Sequence, residues 1–348
     1  MSENAQTEKS SRGSCDTSFV RAAALHGPIT YALQKELITN SQLTRLAPGF
    51  YGLDNPEAKL DFDTFLLCLD RLDWLERSED LIVMAALSQD FASLGLFGKC
   101  LVHAENLWGA IDSLRHVVRY FQSDTDITIR IRRGKVKVFY SHPFEQSRAA
   151  QVDVRYAISL LYKLVCEAKW SRSAKIEVGF PGARKLDTSI FSFADRLSES
   201  SIGFVEFDEI LLTSPMIRSD PFTSETLNAL LVRLSSENKS EATLQELIKA
   251  MQFVSLRKHH IPISLKQAAQ FLSMPERTLQ AALSAEKTSF RNLRDSARHS
   301  LAKQALQSGK SIMETTHLVG FNHRQSFSEA FSLWEGCSPS EFVSISRS

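Results

Sequence analysis

The sequence predicts an α+β fold in two parts. A mixed α/β N-terminal domain comes first, then an all-α domain of two helix-turn-helix units joined by a long helix. Three observations predict this. The hydrophobic period switches from helical to alternating within "ITIRIRRGKVKVFY" (residues 127–140) and then back to helical. No strand signal occurs after residue 243. The C-terminal part holds an internal repeat with an offset of 48 residues. At 348 residues the chain is also long for a single core, so two domains are expected.

In order along the chain, residues 19–90 read as helical. "FVRAAALHGPITYALQKELI" and "FDTFLLCLDRLDWLERS" space apolar residues three and four apart. In "LVHAENLWGAIDSLRHVVRYF", Leu107, Ile111, Leu114, Val118 and Phe121 form one apolar face. Ile127, Ile129 and Ile131, then Val136 and Val138, alternate around Arg133-Gly134, which predicts a hairpin because glycine takes the positive φ such turns need. "VDVRYAISLLYKLVCEAKW" returns to helix, and "AKIEVGF" and "GFVEFD" read as short strands. Residues 224–236 predict a helix with Leu227, Leu230, Leu231 and Leu234 on one stripe. That stripe either pairs two subunits or packs on its own domain, and we favour pairing. "SENKS" then reads as a linker. The expected organisation is a disordered tail over 1–18, a regulatory domain over 19–220, a helix and linker over 221–242, and the all-helical domain over 243–348.

Composition sets limits on function. The chain is 43% hydrophobic and 23% charged, which suits a globular protein. It has no apolar run long enough to span a membrane. The start "MSENAQTEKSSRGSCD" lacks an apolar signal core, so a cytoplasmic location is expected. The five cysteines, Cys15, Cys68, Cys100, Cys166 and Cys337, are scattered without a C-x-x-C pair, which fits free thiols in a reducing compartment. Net charge is +1, but residues 251–348 carry 12 Lys+Arg against 7 Asp+Glu, while the remainder carries 29 against 33. A nucleic-acid contact would therefore lie at the C-terminal end.

The repeat aligns "LKQAAQFLSMPERTLQAAL" (265–283) with "METTHLVGFNHRQSFSEAF" (313–331). Each unit reads as helix, tight break, helix. The S-x-x-E/Q pairs Ser264/Gln267, Ser273/Glu276, Ser311/Glu314 and Ser338/Glu341 mark helix starts, with Asn322/Gln325 a weaker version. Pro339 suits a first helical position. The second helix of each unit would bury Leu279 and Leu283, or Phe327 and Phe331. It would present Arg277, Thr278, Gln280 and Ala281, or Arg324, Gln325, Ser326 and Glu329, to a major groove. Asn322 and His323 would stand beside the phosphates near a helix N-terminus. Between the units, residues 289–308 place Phe290, Leu293, Ala297, Leu301 and Ala305 on one face. Twenty helical residues span roughly 30 Å, close to the roughly 34 Å repeat of a major groove, so one rigid helix could set both units on the same side of a duplex.

"RTLQ", "TSFRNLRDSAR", "VGFNHRQSFSEAF" and "GCSPSEF" make the last 85 or so residues similar to the DNA-binding domain of the AraC/XylS family of bacterial transcription regulators. "LGLFGKCLVHAENLWGAIDSLRHVVRYF" more loosely resembles the mixed α/β sensor domain of one branch of that family. The resemblance implies a promoter-binding regulator that responds to a small molecule held by the sensor domain, with double-stranded promoter DNA and RNA polymerase as partners and a homodimer in view. It implies no cofactor. Three departures stand out. "TLQAAL" puts Ala281 where relatives often carry arginine, "FSEAFSLW" puts Glu329 on the reading face, and Lys287 stands near a usual glycine. The first two remove positive charge, so an alternative reading is an interaction or small-molecule-binding protein whose DNA binding is weakened or lost.

No enzyme constellation stands out: there is no H-E-x-x-H, Gly-rich phosphate loop or G-x-S-x-G. His259-His260 reads as a solvated helix end rather than a metal site, and His317 as packing. Cys100 and Cys166 read as inert core thiols. For a small-molecule pocket the N-terminal domain offers Trp108, Arg115, Tyr120, Phe139, Tyr156 and Trp170, although aromatics at helical spacing more often form core.

Overall fold

The computed structural model describes residues 18–347 except 47–55, 76–79, 144–146, 187, 193, 237–242 and 273. The expected tail with Cys15, nearly all of the expected "SENKS" linker, and Ser273 lie outside the described residues.

The chain opens with β1 (Phe19–Arg21), α1 (Ala23–Gln34), α2 (Asn40–Leu46), β2 (Lys59–Asp61), α3 (Phe62–Asp73), α4 (Leu81–Ser88), α5 (Gly95–Val102) and α6 (Leu107–Phe121). The expectation of helix throughout 19–90 is therefore corrected at two places, where β1 and β2 pair antiparallel as a small separate sheet. Each strand is only three residues long, too short to show a period.

Next come β3 (Asp126–Arg132), β4 (Lys135–Ser141), α7 (Arg148–Cys166), β5 (Ile176–Phe180), β6 (Arg196–Glu199) and β7 (Gly203–Asp208). They form a five-stranded sheet of order β3-β4-β7-β5-β6, antiparallel except for the β5/β6 pair. The predicted hairpin is present, with Arg133 and Gly134 both at positive φ (53° and 74°), as a two-residue turn of the mirror-image type requires. Helix α7 covers one face of the sheet and packs on its other side against α3 and α4. Val136, Val138, Val178, Val205 and Phe207 are fully buried in this layer.

The helical remainder is α8 (Pro221–Ser236), α9 (Leu244–His259), α10 (Leu265–Phe271), α11 (Glu276–Ala285), α12 (Phe290–Gln307), α13 (Ile312–Leu318), α14 (Arg324–Glu335) and α15 (Pro339–Arg347). Helix α8 packs on α5, α6 and α9, and Leu227, Leu230 and Leu231 are fully buried there. The favoured pairing role of the leucine stripe is thus corrected: its apolar face is consumed within the chain. Ser224 and Cys100 tie α8 to α5, the Ser224 hydroxyl donating to the Cys100 carbonyl at 2.7 Å. Burial pushes the Cys100 thiol up to about 12, which keeps it un-ionised and inert.

A second tie runs from α5 to the first helix-turn-helix unit. Lys99 is only 8% exposed, and its ammonium donates to the carbonyls of Gln270 and Phe271 (2.9 Å to Phe271) at the end of α10. These bonds add to the capping of the last carbonyls of α10. Burial lowers the Lys99 pKa to about 8, opposed by the nearby Glu57 carboxylate. The first unit consequently shares one apolar cluster with the N-terminal domain, through Leu279, Leu283 and Leu293. The second unit has a separate cluster, centred on Leu301, Phe327, Phe331 and Phe342.

Candidate nucleic-acid interface

Three helix starts use a serine in the same local device, which Thr243 and Glu246 also form at the start of α9. Gln267 N–H donates to the Ser264 hydroxyl (3.2 Å) and Gln267 Oε1 accepts from Ser264 N–H (2.9 Å). Ser311/Glu314 repeats this at 3.2 and 2.8 Å, and Ser338/Glu341 at 3.3 and 2.7 Å. These bonds hold the Glu314 and Glu341 carboxyls below their ordinary range. The Ser273/Glu276 pair lies outside the described residues, because Ser273 does; helix α11 begins after Pro275. Helix α14 begins after His323, without a side-chain cap from Asn322.

In α11, Leu279 and Leu283 are fully buried, while Arg277, Thr278, Gln280 and Ala281 are exposed together. In α14, Phe327 and Phe331 are fully buried, while Arg324, Gln325, Ser326 and Glu329 are exposed, and Asn322 and His323 stand exposed just before the helix. The 3.6-residue period accounts for both faces, because positions i and i+4 point inward. On α14, Gln325 Nε2 donates to Glu329 Oε1 at 3.0 Å, so the carboxylate engages one of the exposed side chains of this face. His317 is exposed, which corrects its reading as a packing residue.

Helix α12 holds α14 at both ends, through residues that sequence reasoning did not single out. Arg298 donates to the carbonyl of Gly320 (3.1 Å) and lies over the Phe321 ring (4.5 Å), which fixes the turn between α13 and α14. At the other end, His299 and Lys303 contact the Glu335 carboxylate at 2.6 and 2.7 Å. The Lys303 and His299 bonds hold the Glu335 carboxyl low. Their i, i+4 spacing on α12 is the sequence signal that could have marked this anchor. Gly320 takes φ +72°, and a Cβ there would lie 2.8 Å from Pro262 Cδ and 3.2 Å from the His260 carbonyl. Only glycine fits both constraints. Helix α12 has 18 residues, about 27 Å of rigid spacer.

Lys287, between α11 and α12, takes φ +58°. A non-glycine residue is strained there. Lys287→Gly should therefore stabilise the protein by about 1 kcal/mol, less the backbone entropy glycine loses on folding. Urea unfolding measures this, and a destabilised variant would contradict it.

The six residues considered for a small-molecule pocket do not converge. Trp108 (41%) and Trp170 (47%) are at the surface. Arg115 is exposed and pairs with Asp112 at 3.0 Å. Phe139 pairs with Phe204 on the sheet face opposite Val138 and Tyr140, because adjacent strand residues point to opposite sides. Tyr120 is buried but donates to Glu57 at 2.6 Å beneath the Arg21 guanidinium. Tyr156 alone of the six lines the internal cavity of about 70 Å³, with Phe97, Leu101, Gln122, Tyr140 and Asp153 among its walls. In that wall Gln122 Nε2 donates to the Tyr140 hydroxyl (2.8 Å), which donates to the Asp153 carboxyl (2.6 Å). Burial pushes the Asp153 carboxyl up. Among the described residues no cluster could hold a metal ion, and no single helix is long and apolar enough to cross a membrane.

Two similar units, each presenting a polar face and joined in sequence by one long helix, define a double helix-turn-helix domain. Residues 268–344 match the family model described as a helix-turn-helix domain, and the likeness to AraC/XylS regulators holds over this part of the chain. The chain is 23% identical to the ornithine utilization regulator of Pseudomonas aeruginosa over 299 residues, 83% of this chain and 86% of that one. It is 25% identical to the HTH-type transcriptional regulator VqsM of the same organism, over 71% of this chain and 78% of the relative. The solved structure of transcriptional regulator CdpR from Pseudomonas aeruginosa aligns over 98% of this chain and all of its own, with 18% identity and a TM-score of 0.39.

Proposed function

We propose that this chain is a sequence-specific DNA-binding transcription regulator acting in the cytoplasm of a bacterium. The supporting observation is the pair of exposed faces, Arg277/Thr278/Gln280/Ala281 and Arg324/Gln325/Ser326/Glu329, on helices whose other sides are locked into core. Arginine and glutamine suit the acceptor and donor edges of guanine and adenine, and Ala281 suits a thymine methyl. Asn322 and His323 would sit at backbone phosphates near the α14 N-terminus. The relatives' names as regulators support the same reading. In this reading the N-terminal domain carries the response to a small-molecule effector, RNA polymerase is a partner, and two copies act together. The test is a gel shift on the DNA upstream of the protein's own coding sequence. A retarded band that survives excess random duplex is expected, and loss of that band to the competitor would reject the reading.

A second reading, an interaction protein with weakened DNA binding, is favoured by Ala281 and by the Gln325–Glu329 bond. The two readings part on charge. If α14 faces phosphate-rich DNA, Glu329→Lys should add about one phosphate contact and steepen the slope of log K against log salt by about 0.9. An unchanged slope would favour the second reading.

A further inference from the structure

We propose that the groove between α8, α9 and α12 is a binding site for a small organic anion with a flat apolar body. The groove is an open cleft of about 810 Å³, within the range of small-molecule sites and far larger than the 70 Å³ internal cavity. Arg233 from α8 and Lys249, Arg257 and Lys258 from α9 line it, against Glu246 as the one carboxylate among the described residues of its lining. The Glu246 carboxylate accepts from Thr243 N–H at 3.0 Å in the capping box that starts α9. Lys258 is partly neutralised by Glu225 at 3.0 Å, which leaves Lys249 and Arg257 as the principal positive rim. The floor is apolar, with Leu234, Ala250, Phe253 and Val254 in it, and the guanidinium groups of Arg233 (5.3 Å) and Arg257 (5.6 Å) both lie near the Phe253 ring. Ser300 supplies a hydroxyl from α12 on the opposite wall.

This combination selects its occupant. A cationic rim attracts a carboxylate or phosphate, and the planar guanidinium groups beside Phe253 offer stacking faces to a flat apolar body. A nucleic-acid backbone would leave that floor uncovered. The walls also come from different parts of the fold. Helix α8 is packed on α5 and α6 of the N-terminal domain, while α12 carries the anchors of α14. An occupant would bridge the two, so binding here is coupled to how α12 sits against α8.

The test uses the full-length protein titrated with the fluorescent aromatic anion 1-anilinonaphthalene-8-sulfonate, then competed with benzoate and with phenyl phosphate. Saturable binding displaced by at least one competitor is expected, and the stronger competitor tells carboxylate from phosphate. The double variant Lys249→Glu/Arg257→Glu should weaken binding at least tenfold, and Ser300→Trp, which fills the groove without changing charge, should do the same. Arg132→Glu/Arg133→Glu makes the same net charge change on the distant hairpin and should leave binding unaltered. Wild-type affinity in the groove variants, or equal loss in the hairpin variant, would overturn the proposal. Because the readout is direct binding, it fails or succeeds independently of the gel shift.

Discussion

Phe331→Ala is expected to cost about 3–5 kcal/mol of stability in the C-terminal domain. Phe331 is fully buried at the centre of the second unit's cluster. Its ring meets Phe342 edge-on at 5.4 Å, Phe327 at 5.7 Å and His299 at 5.9 Å. Removing it takes away apolar burial and several aromatic contacts at once, and the close-packed neighbours cannot collapse fully into the space. The same change should loosen α14 from α12, because His299 holds both Phe331 and Glu335. Denaturant unfolding read by tryptophan fluorescence measures the effect, since Trp334 lies 5.7 Å from His299. The cluster is distinct from the one shared by the first unit and the N-terminal domain, so unfolding of this variant should show an early transition confined to the second unit. A single unshifted transition would refute the description of two cores.

The largest expected effect on binding is at Arg324. It is exposed at the first turn of α14, where a recognition helix meets base edges. Arg324→Ala should cost about 1–3 kcal/mol at the cognate site and relax the sequence preference there, with stability unchanged. Its side chain has no role in the buried face, so lost affinity could not be ascribed to unfolding. Equal affinity of the variant and the parent for the cognate duplex would remove Arg324 from the reading surface.

Much of the C-terminal architecture was legible because local rules govern it. The serine–acid and serine–amide boxes at Ser264, Ser311 and Ser338 depend on residues three apart, and all three form. In the N-terminal domain the Arg133-Gly134 turn follows from similarly short-range geometry, whereas the left-handed backbone at Lys287 was indicated by the family resemblance. Helix α12 runs from Phe290 to Gln307, close to its expected span, because Ser289 caps it and its apolar stripe keeps one period. Features set by distant contacts were not legible. Strand β6, "RLSE", is short and polar, and forms only because β5 offers it an edge nineteen residues earlier in sequence. The leucine stripe of α8 announces an apolar partner without saying which one, and the partner is α5 and α6. The six candidate pocket residues failed to converge for the same reason. Composition and period place an aromatic on a helix or strand, but only tertiary packing decides whether Tyr156 faces a cavity while Trp108 and Trp170 face solvent. The interior polar chain of Gln122, Tyr140 and Asp153 likewise has no local signature.

The central claim is that α11 and α14, held by one stiff spacer, enter neighbouring major grooves together. Methylation protection of guanine N7 tests it most directly, because that atom is reached only from the major groove. On the protein's own upstream DNA, two protected segments are predicted, centred about 10 base pairs apart on one face of the duplex, the first lost in Arg277→Ala and the second in Arg324→Ala. Protection of a single segment, or of two segments that respond alike to either substitution, would contradict it.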